Sequence, residues 1–323
     1  MTEHDSTAED VVACYRTFLG RDPESDDVIQ AHLRARPRLW DLIEHVRVAA
    51  EARRKSIDRA CAAISAQQDT RAVAIDASDA DLKVLTDHIR EVWSRYGREE
   101  AYYSVLTNPA YLSERLGVAD IEAFFATGRD EVDLFETVCR RNGIEPDRSW
   151  SVTELGCGVG RVGEAFASRF AAYEGVDISA DHLAIARRRF ADRGLENTTL
   201  ALLEAFLAGS AAPDVFFSVI VLQHNPPPII ARILVRAFKL LAPGGVAIFQ
   251  VPTWCDGYRF RIADYLASRP AEPTIEVHCL PQRIIFDLAG QCGCVPIEVR
   301  TDGAMGPPSA WRSNLLVFRK YGM

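Results

Sequence analysis

A glycine-rich stretch from Ser151 to Arg161 constrains the fold of this chain more than any other feature. An apolar strand pattern runs there into three glycines, Gly156, Gly158 and Gly160. Glycine tolerates positive φ and leaves room for a ligand against the backbone, so the stretch predicts a strand, a tight loop and the start of a helix. A dinucleotide loop spaces its glycines G-x-G-x-x-G, whereas Arg161 occupies the place of the last small residue. The spacing therefore argues against a dinucleotide.

Alternating strand and helix patterns follow this stretch, as expected of a parallel sheet with helices on both faces. The predicted strands cover residues 150–155, 172–176, 198–203, 215–222, 246–251, 295–300 and 314–319. The predicted helices cover residues 82–97, 131–142, 160 onward, 180–193, 227–241, 256–268 and 281–289. The fourth strand is apolar throughout, which is typical of a strand buried on both faces.

An acid, Glu154, comes directly before the glycine loop. A carboxylate at this position disfavours a pyrophosphate and attracts the ammonium group of a methionine moiety. Together with the glycines it resembles motif I of the class I S-adenosylmethionine-dependent methyltransferases. The resemblance extends over residues 150–251 and implies a Rossmann-like α/β fold with a mostly parallel sheet and an antiparallel C-terminal edge hairpin.

Two further acids stand at the ends of the next two predicted strands. Asp177 follows Gly158 by 19 residues, and Glu204 ends the third strand. Ligands bind at the carboxyl ends of strands in open α/β sheets, so three acids in register suit one extended ligand. Asp177 can accept from both ribose hydroxyls, and the resemblance implies that Glu204 accepts from the adenine amino group. Either acid alone is also consistent with a helix cap or a solvated turn.

The cofactor implied by the resemblance is S-adenosylmethionine. The residues expected to bind it are Glu154, Gly156, Cys157, Gly158, Gly160, Arg161, Asp177, Ile178, Glu204, Ala205, Leu222 and Gln223.

Histidine has the near-neutral pKa that suits a base for a hydroxyl acceptor. His224 follows the fourth strand in a segment that resembles a family motif ending Leu-His-His, and His278 is a second candidate. A packing or capping role for His224 stays open. The residues expected to contact the acceptor are Tyr103, Trp254, Tyr258 and Trp311. Arginines flank this set, and the combination suits a sugar and a phosphate.

A net charge of −8 argues against broad nucleic-acid binding, which depends on a basic face. The first residues lack an apolar targeting core, and no apolar run approaches bilayer-spanning length, so we expect a cytoplasmic protein with no membrane span. The cysteines are scattered, and Cys292 and Cys294 have no second pair or nearby histidine. We therefore expect neither disulfides nor a metal.

The N-terminal residues form a separate predicted unit. From Ala8 to about Ala66 the chain is charged and alanine-rich, and Val11, Val12, Tyr15 and Phe18 follow one helical face. A stretch of short polar residues, 67–79, is the predicted linker. We expect a helical appendage at residues 1–68 and a methyltransferase domain at residues 80–323. The helices at the N-terminal end of this domain are expected to form a lid.

The sequence predicts an S-adenosylmethionine-dependent methyltransferase. Tyr15 to Arg21 resembles a signature of bacterial domains, some of which are attached to cell-surface glycan enzymes, and residues 278–313 loosely resemble methyltransferases of surface-glycan pathways. This resemblance implies methylation of a sugar hydroxyl in a nucleotide-linked or polymeric glycan. The alternatives are an O- or N-methyltransferase of small natural products and a cofactor-binding scaffold without turnover. The sequence leaves the oligomeric state open.

Overall fold

A computed structural model of the chain describes residues 5–19, 21–49, 70–268, 274–303 and 311–321. The chain divides into two compact units, Met1–Gln67 and Gln68–Met323. The predicted helical pattern between residues 50 and 66 lies outside the described residues.

The first unit is helical where it is described. It contains α1 (Ala8–Cys14), a π-helix (Tyr15–Leu19), α2 (Asp26–Ala35) and α3 (Leu39–Val48). Thr7 caps α1 by accepting from the backbone N–H of Asp10, whose carboxylate accepts in return from the backbone N–H of Thr7. A small apolar core joins α1, the π-helix and α3 through Val11, Tyr15, Leu42 and Val46. Of the residues predicted on this face, Val11 and Tyr15 are buried and Val12 is partly exposed, while the side chain of Phe18 lies outside the described residues.

The second unit begins with helices that precede the sheet and then alternates strands with helices. Its helices are α4 (Asp79–Glu99), α5 (Ala101–Leu106), α6 (Val118–Arg141), α7 (Arg161–Arg169), α8 (Ala180–Asp192), α9 (Leu203–Ala208), α10 (Pro227–Leu240), α11 (Ile262–Ser268) and α12 (Gln282–Gln291). Its strands are β1 (Ser151–Leu155), β2 (Ala172–Asp177), β3 (Thr198–Leu202), β4 (Val215–Ser218), β5 (Val246–Cys255), β6 (Cys294–Thr301) and β7 (Trp311–Lys320). Short 3₁₀ turns cover Thr70–Ala72, Pro109–Tyr111, Ser113–Arg115 and Leu222–His224.

The strands form one sheet in the order β3-β2-β1-β4-β5-β7-β6. Strands β1 to β5 pair in parallel, whereas β7 is antiparallel to both β5 and β6. The predicted fold class, a mostly parallel Rossmann-like sheet with antiparallel C-terminal strands, is confirmed. The winding reverses between β1 and β4, which opens a crevice at the carboxyl ends of these strands.

Apolar helix faces cover both sides of the sheet. One cluster contains Ile230 and Phe238 of α10 with Ile285 of α12. The opposite cluster contains Phe135 of α6 and Phe166 of α7. Because both faces are covered, β4 is buried at every residue, as its apolar sequence predicts.

The predicted extent of β4 is wrong. The strand ends at Ser218 instead of Leu222, because Ile220 has a φ of 58° and its N–H donates to Gln250 Oε1 at 2.9 Å. A β-branched residue rarely adopts this left-handed conformation. The chain therefore leaves the sheet early and bends over its carboxyl edge. By contrast, β5 runs four residues beyond its predicted end at Val251, because β7 pairs with it as far as Cys255.

Two helices and the linker also differ from the sequence prediction. Helix α6 begins at Val118, 13 residues before the predicted start, and α11 begins at Ile262 instead of 256. The described part of the predicted linker is bonded into the second unit, since Phe260 donates to the carbonyl of Ala72 and accepts from the N–H of Ala74. The chain from about Ala72 onward thus belongs structurally with the sheet.

None of the helices in the described ranges combines the length and the apolar character needed to cross a membrane.

Candidate functional site

An open cleft with about 1040 Å³ of empty space lies at the carboxyl ends of β1, β2 and β4. The predicted site residues that line it are Glu154, Gly156, Cys157, Gly158, Arg161, Asp177, Ile178 and His224. The cleft therefore brings together residues from the glycine loop, two strand ends and the turn after β4.

The glycine loop has the conformation that its sequence requires. Gly156, Gly158 and Gly160 have φ values of 75°, 54° and 86°. A Cβ on Gly156 would lie 2.2 Å from a methyl carbon of Val221, and one on Gly158 would lie 2.8 Å from Val105. The side chains of Val221 and Val105 both line the cleft, so they cover the loop closely on this side. Gly160 does not line the cleft; a Cβ there would meet Phe190 at 2.7 Å, so this glycine serves the packing of α7 against α8.

Asp177 ends β2 and is only 8% exposed. Its Oδ2 accepts from the N–H of Gly158 at 2.9 Å, and its Oδ1 accepts from the N–H of Ser179 at 2.8 Å. Each carboxylate oxygen has a further lone pair. Asp177 thus fixes the loop and keeps acceptor capacity for a hydroxyl pair in the cleft.

Glu154 is 5% exposed, and the hydroxyl of Tyr173 donates to its Oε2 at 2.6 Å. Burial raises the pKa of this carboxyl to about 7, although the bond from Tyr173 and the charge of Arg161 act in the opposite direction. A buried carboxylate is stabilised by an opposite charge. Glu154 therefore suits a cationic group such as an ammonium.

Arg161, the first residue of α7, is 9% exposed. Its Nη1 donates to Thr127 Oγ1 at 3.1 Å, and its Nη2 is 3.6 Å from Glu131 Oε1. Within the described part of the chain its Nε has no hydrogen-bond partner. A buried N–H without a partner is costly, and an anionic ligand group removes that cost. Glu154 and Arg161 together fit the ammonium and carboxylate of an amino acid.

Glu204 lies outside the cleft lining, and its predicted position at a strand end is wrong. The strand ends at Leu202, and Glu204 is in the first turn of α9, 48% exposed and paired with Arg90. Ala205 is on the same helix and does not line the cleft either. On this side the lining consists of apolar side chains, among them Ile178 and Leu203.

His224 closes the 3₁₀ turn after β4 and lines the cleft beside Trp93, with ring centroids 5.4 Å apart. Its Nδ1 is 2.9 Å from the carbonyl oxygen of Glu276. A carbonyl can only accept, so Nδ1 carries the proton and the lone pair is on Nε2. Burial lowers the pKa of this imidazole, which keeps it neutral near pH 7. Nε2 is thus the hydrogen-bond acceptor of the ring. The amide Nε2 of Gln223, which can only donate, lies 3.4 Å from it.

The other predicted catalytic and acceptor residues lie away from the cleft lining. His278 is buried between Tyr258, whose hydroxyl is 2.9 Å from Nδ1, and Glu276, whose Oε2 is 3.0 Å from Nε2. Trp311 contacts Tyr258, and Trp254 lies against Arg312. Tyr103, Leu222 and Gln223 are also absent from the lining; Leu222 is buried in the core. Tyr258 and His278 instead line a second pocket together with Arg259 and Arg261.

Several lining residues were not predicted from the sequence. They include Trp93 of α4, Ser104, Val105 and Leu106 of α5, Glu131 of α6, His182 of α8 and Ile220 after β4. His182 Nε2 is 2.9 Å from Ser104 Oγ, which ties α5 to the edge of the cleft. The helical period of α4 predicts that Trp93 lies on the apolar face of the helix. Only the fold shows that this face borders the cleft.

Comparison with known proteins identifies residues 152–245 as a match to the family described as "Methyltransferase domain". A trans-aconitate 2-methyltransferase of Methylobacterium nodulans is 35% identical over 37% of this chain and 45% of its own length. A ubiquinone biosynthesis O-methyltransferase of Psychrobacter arcticus is 37% identical over 31% of this chain and 39% of its own. The chain thus spans less than half the length of these curated relatives.

Among solved structures, a magnesium protoporphyrin IX methyltransferase from Synechocystis with bound SAH has a TM-score of 0.49 and 14% identity. The alignment covers 73% of this chain and 99% of that one.

Proposed function

We propose that this chain, in which residues 152–245 form an S-adenosylmethionine-dependent methyltransferase domain, methylates the hydroxyl oxygen of a small aromatic acceptor. The observation that carries the proposal is His224, which lines the cleft next to Trp93 and whose Nδ1 is bonded to the carbonyl of Glu276, so that the lone pair is on Nε2. S-adenosylmethionine is the cofactor of this domain class, and it supplies a methyl group on a sulfonium.

Three side chains hold the cofactor in this proposal. Glu154 binds the ammonium and Arg161 Nε binds the carboxylate of its amino-acid end. Asp177 accepts hydrogen bonds from the ribose hydroxyls through the lone pairs that Gly158 and Ser179 leave free. The apolar surface around Leu203 covers the adenine. Each contact satisfies a group that is buried and incompletely paired in the protein alone.

His224 acts as the base in this proposal. Nε2 would accept the proton of the acceptor hydroxyl as the methyl group passes from the sulfonium sulfur to the hydroxyl oxygen, with the S–CH₃ bond breaking and a neutral thioether leaving, while Nδ1–H stays bonded to the carbonyl of Glu276. The pKa of His224 is below its ordinary value of about 6.5, so the acceptor must be fairly acidic. A phenol has a pKa of about 10 and gives up its proton more readily than an aliphatic hydroxyl such as that of a sugar. This difference in acidity favours a phenol over a sugar hydroxyl.

The charges of the cleft restrict the acceptor further. Its charged lining residues are Glu131, Glu154, Asp177 and Arg161, of which the last three hold the cofactor in this proposal. The remaining acid, Glu131, disfavours a tricarboxylate such as trans-aconitate or a nucleotide phosphate. The aromatic side chains that suggest a sugar, Trp254, Tyr258 and Trp311, do not line the cleft. A neutral phenol beside Trp93 fits the charge and the apolar surface better.

A turnover screen tests the proposal. The full-length protein is incubated with S-adenosylmethionine and catechols, simple phenols, trans-aconitate or nucleotide sugars, and both S-adenosylhomocysteine and the acceptor mass are measured. We expect methylated phenols and no product with His224→Gln. Methylation of only sugars or of trans-aconitate contradicts the acceptor assignment. Cofactor binding without turnover on any acceptor favours a scaffold.

A further inference from the structure

Glu276 connects three parts of the second unit with the histidine of the cleft. It lies in the extended segment 274–280 between α11 and α12, and its side chain is 19% exposed. Its carbonyl oxygen accepts from His224 Nδ1 at 2.9 Å. Its carboxylate faces in another direction, towards α4 and α11. One residue therefore joins the proposed base to side chains that never line the main cleft.

The carboxylate of Glu276 is held through Oε2, whereas Oε1 has no hydrogen-bond partner among the described residues. Its Oε2 accepts from the hydroxyl of Tyr265 at 2.9 Å and from His278 Nε2 at 3.0 Å. Its Oε1 is 3.5 Å from Nε2 of His88, a residue of α4 that is 8% exposed. Because a carboxylate can only accept, His278 carries its proton on Nε2. Its Nδ1 then accepts from the hydroxyl of Tyr258.

These contacts outweigh burial at Glu276. Burial alone raises the pKa of this carboxyl, but the bonds from His278 and Tyr265 bring it below its ordinary value. The carboxylate is thus ionised and anchored. An anchored side chain fixes the position of its own carbonyl group.

We propose that Glu276 is a positioning residue, whose clamped carboxylate holds its carbonyl against His224 Nδ1 and thereby leaves the Nε2 lone pair directed to the acceptor. The inference rests on the proposed role of His224. Without the clamp, the carbonyl no longer holds the proton on Nδ1, and only the 3.4 Å contact from the Gln223 amide N–H still favours a lone pair on Nε2. A proton on Nε2 would present a donor to the cleft where methyl transfer requires an acceptor.

The tautomer of His224 tests this inference without any acceptor. ¹⁵N-histidine-labelled full-length protein is compared with Glu276→Ala by NMR, and the His224 resonances are assigned from their loss in His224→Gln. We expect the Nδ1–H tautomer in the wild type and loss of that signal pattern in Glu276→Ala. Glu276→Gln is the matched control, because its amide oxygen can accept from both Tyr265 and His278; we expect it to retain the wild-type tautomer.

Tyr265→Phe repeats the test with less disturbance, since it keeps the ring and removes one donor to the carboxylate. We expect a raised Nε2–H fraction of His224 in this variant even if Glu276→Ala does not fold. An unchanged tautomer in the folded variants overturns the inference. The readout is the tautomer of His224 and needs no acceptor. If no phenol is methylated but Glu276→Ala still changes the tautomer, only the proposed function is contradicted.

Discussion

Asp177 accepts a hydrogen bond from the backbone N–H of Gly158 at 2.9 Å, which joins the end of β2 to the glycine loop after β1. This bond links two sequence features that stand 19 residues apart. Both residues line the cleft, so the bond fixes the loop beside the carboxylate.

Asp177→Ala is expected to weaken cofactor binding, because it removes the proposed acceptor for two hydroxyls. A hydrogen bond to a charged group contributes about 1.5–3 kcal/mol, or roughly 10- to 150-fold in Kd. Calorimetric titration with S-adenosylmethionine and S-adenosylhomocysteine measures the effect. Glu204→Ala is the control, since Glu204 is an acid outside the cleft lining and is expected to leave Kd nearly unchanged. Equal Kd values for wild type and Asp177→Ala would contradict the ribose assignment.

Cofactor affinity is expected to increase with pH up to about pH 7. The pKa of Glu154 is raised to about 7, so below this pH its carboxyl is protonated and must lose a proton before it pairs with an ammonium. Well below pH 7 the affinity should change by about tenfold per pH unit. Titrations between pH 5 and pH 8 measure the slope, and Glu154→Gln should flatten it. A slope that persists in Glu154→Gln assigns the titration to another group.

Gly156→Ala is expected to destabilise the second unit more than Gly194→Ala. Both glycines have positive φ, at 75° and 66°, so each alanine costs about 1–2 kcal/mol of backbone strain. Only the Cβ at 156 also collides, with the side chain of Val221. Urea unfolding measures both free energies, and the difference isolates the collision. Gly156→Ala should also lose cofactor affinity, whereas Gly194→Ala should retain it.

His224→Gln is expected to lower kcat by about 10²- to 10⁴-fold on a methylated phenol, the usual contribution of a general base. Its Kd for the cofactor should stay near that of the wild type, because His224 contacts the acceptor in the proposed arrangement. Single-turnover kinetics and calorimetry measure the two quantities. A lowered Tm with full specific activity would instead assign His224 to packing against Trp93.

A protein that begins at Gln68 is expected to unfold cooperatively and to bind the cofactor as tightly as the full chain, because residues 68–323 form a compact unit of their own. A protein that begins at Asp79 is the comparison. It lacks the hydrogen bonds of Ala72 and Ala74 with Phe260, and we expect a lower Tm. Thermal unfolding of both proteins measures the difference. An insoluble or non-cooperative protein beginning at Gln68 would place the first unit within the same folding unit.

Local patterns were sufficient for the sheet, for the glycine loop and for the acids at the ends of β1 and β2. Glycines with positive φ, an acid before them and an acid at the end of β2 are features of adjacent residues and fixed strand ends. Their geometry follows from the strand, loop and helix pattern itself. Glu154, Gly158 and Asp177 therefore lie where the sequence predicts, at the edge of the cleft.

The acceptor side could not be predicted in this way, because it depends on contacts between distant segments. Tyr258 was expected to contact the acceptor, but its hydroxyl is hydrogen-bonded to His278, which is in turn bonded to Glu276. Glu204 was expected at the end of β3, but β3 ends two residues before it, at Leu202. Glu204 therefore lies on a helix, paired with Arg90.

The sequence by itself determined the sheet, the glycine loop and the acids at the ends of β1 and β2, since the hydrophobic period and backbone preferences of neighbouring residues specify them. Only the tertiary structure decided which nitrogen of His224 carries a proton, because that depends on the carbonyl of Glu276, 52 residues away. It also decided that Arg161 Nε has no hydrogen-bond partner among the residues that the structure describes. Hydrogen-bond partners brought together by packing have no local signature.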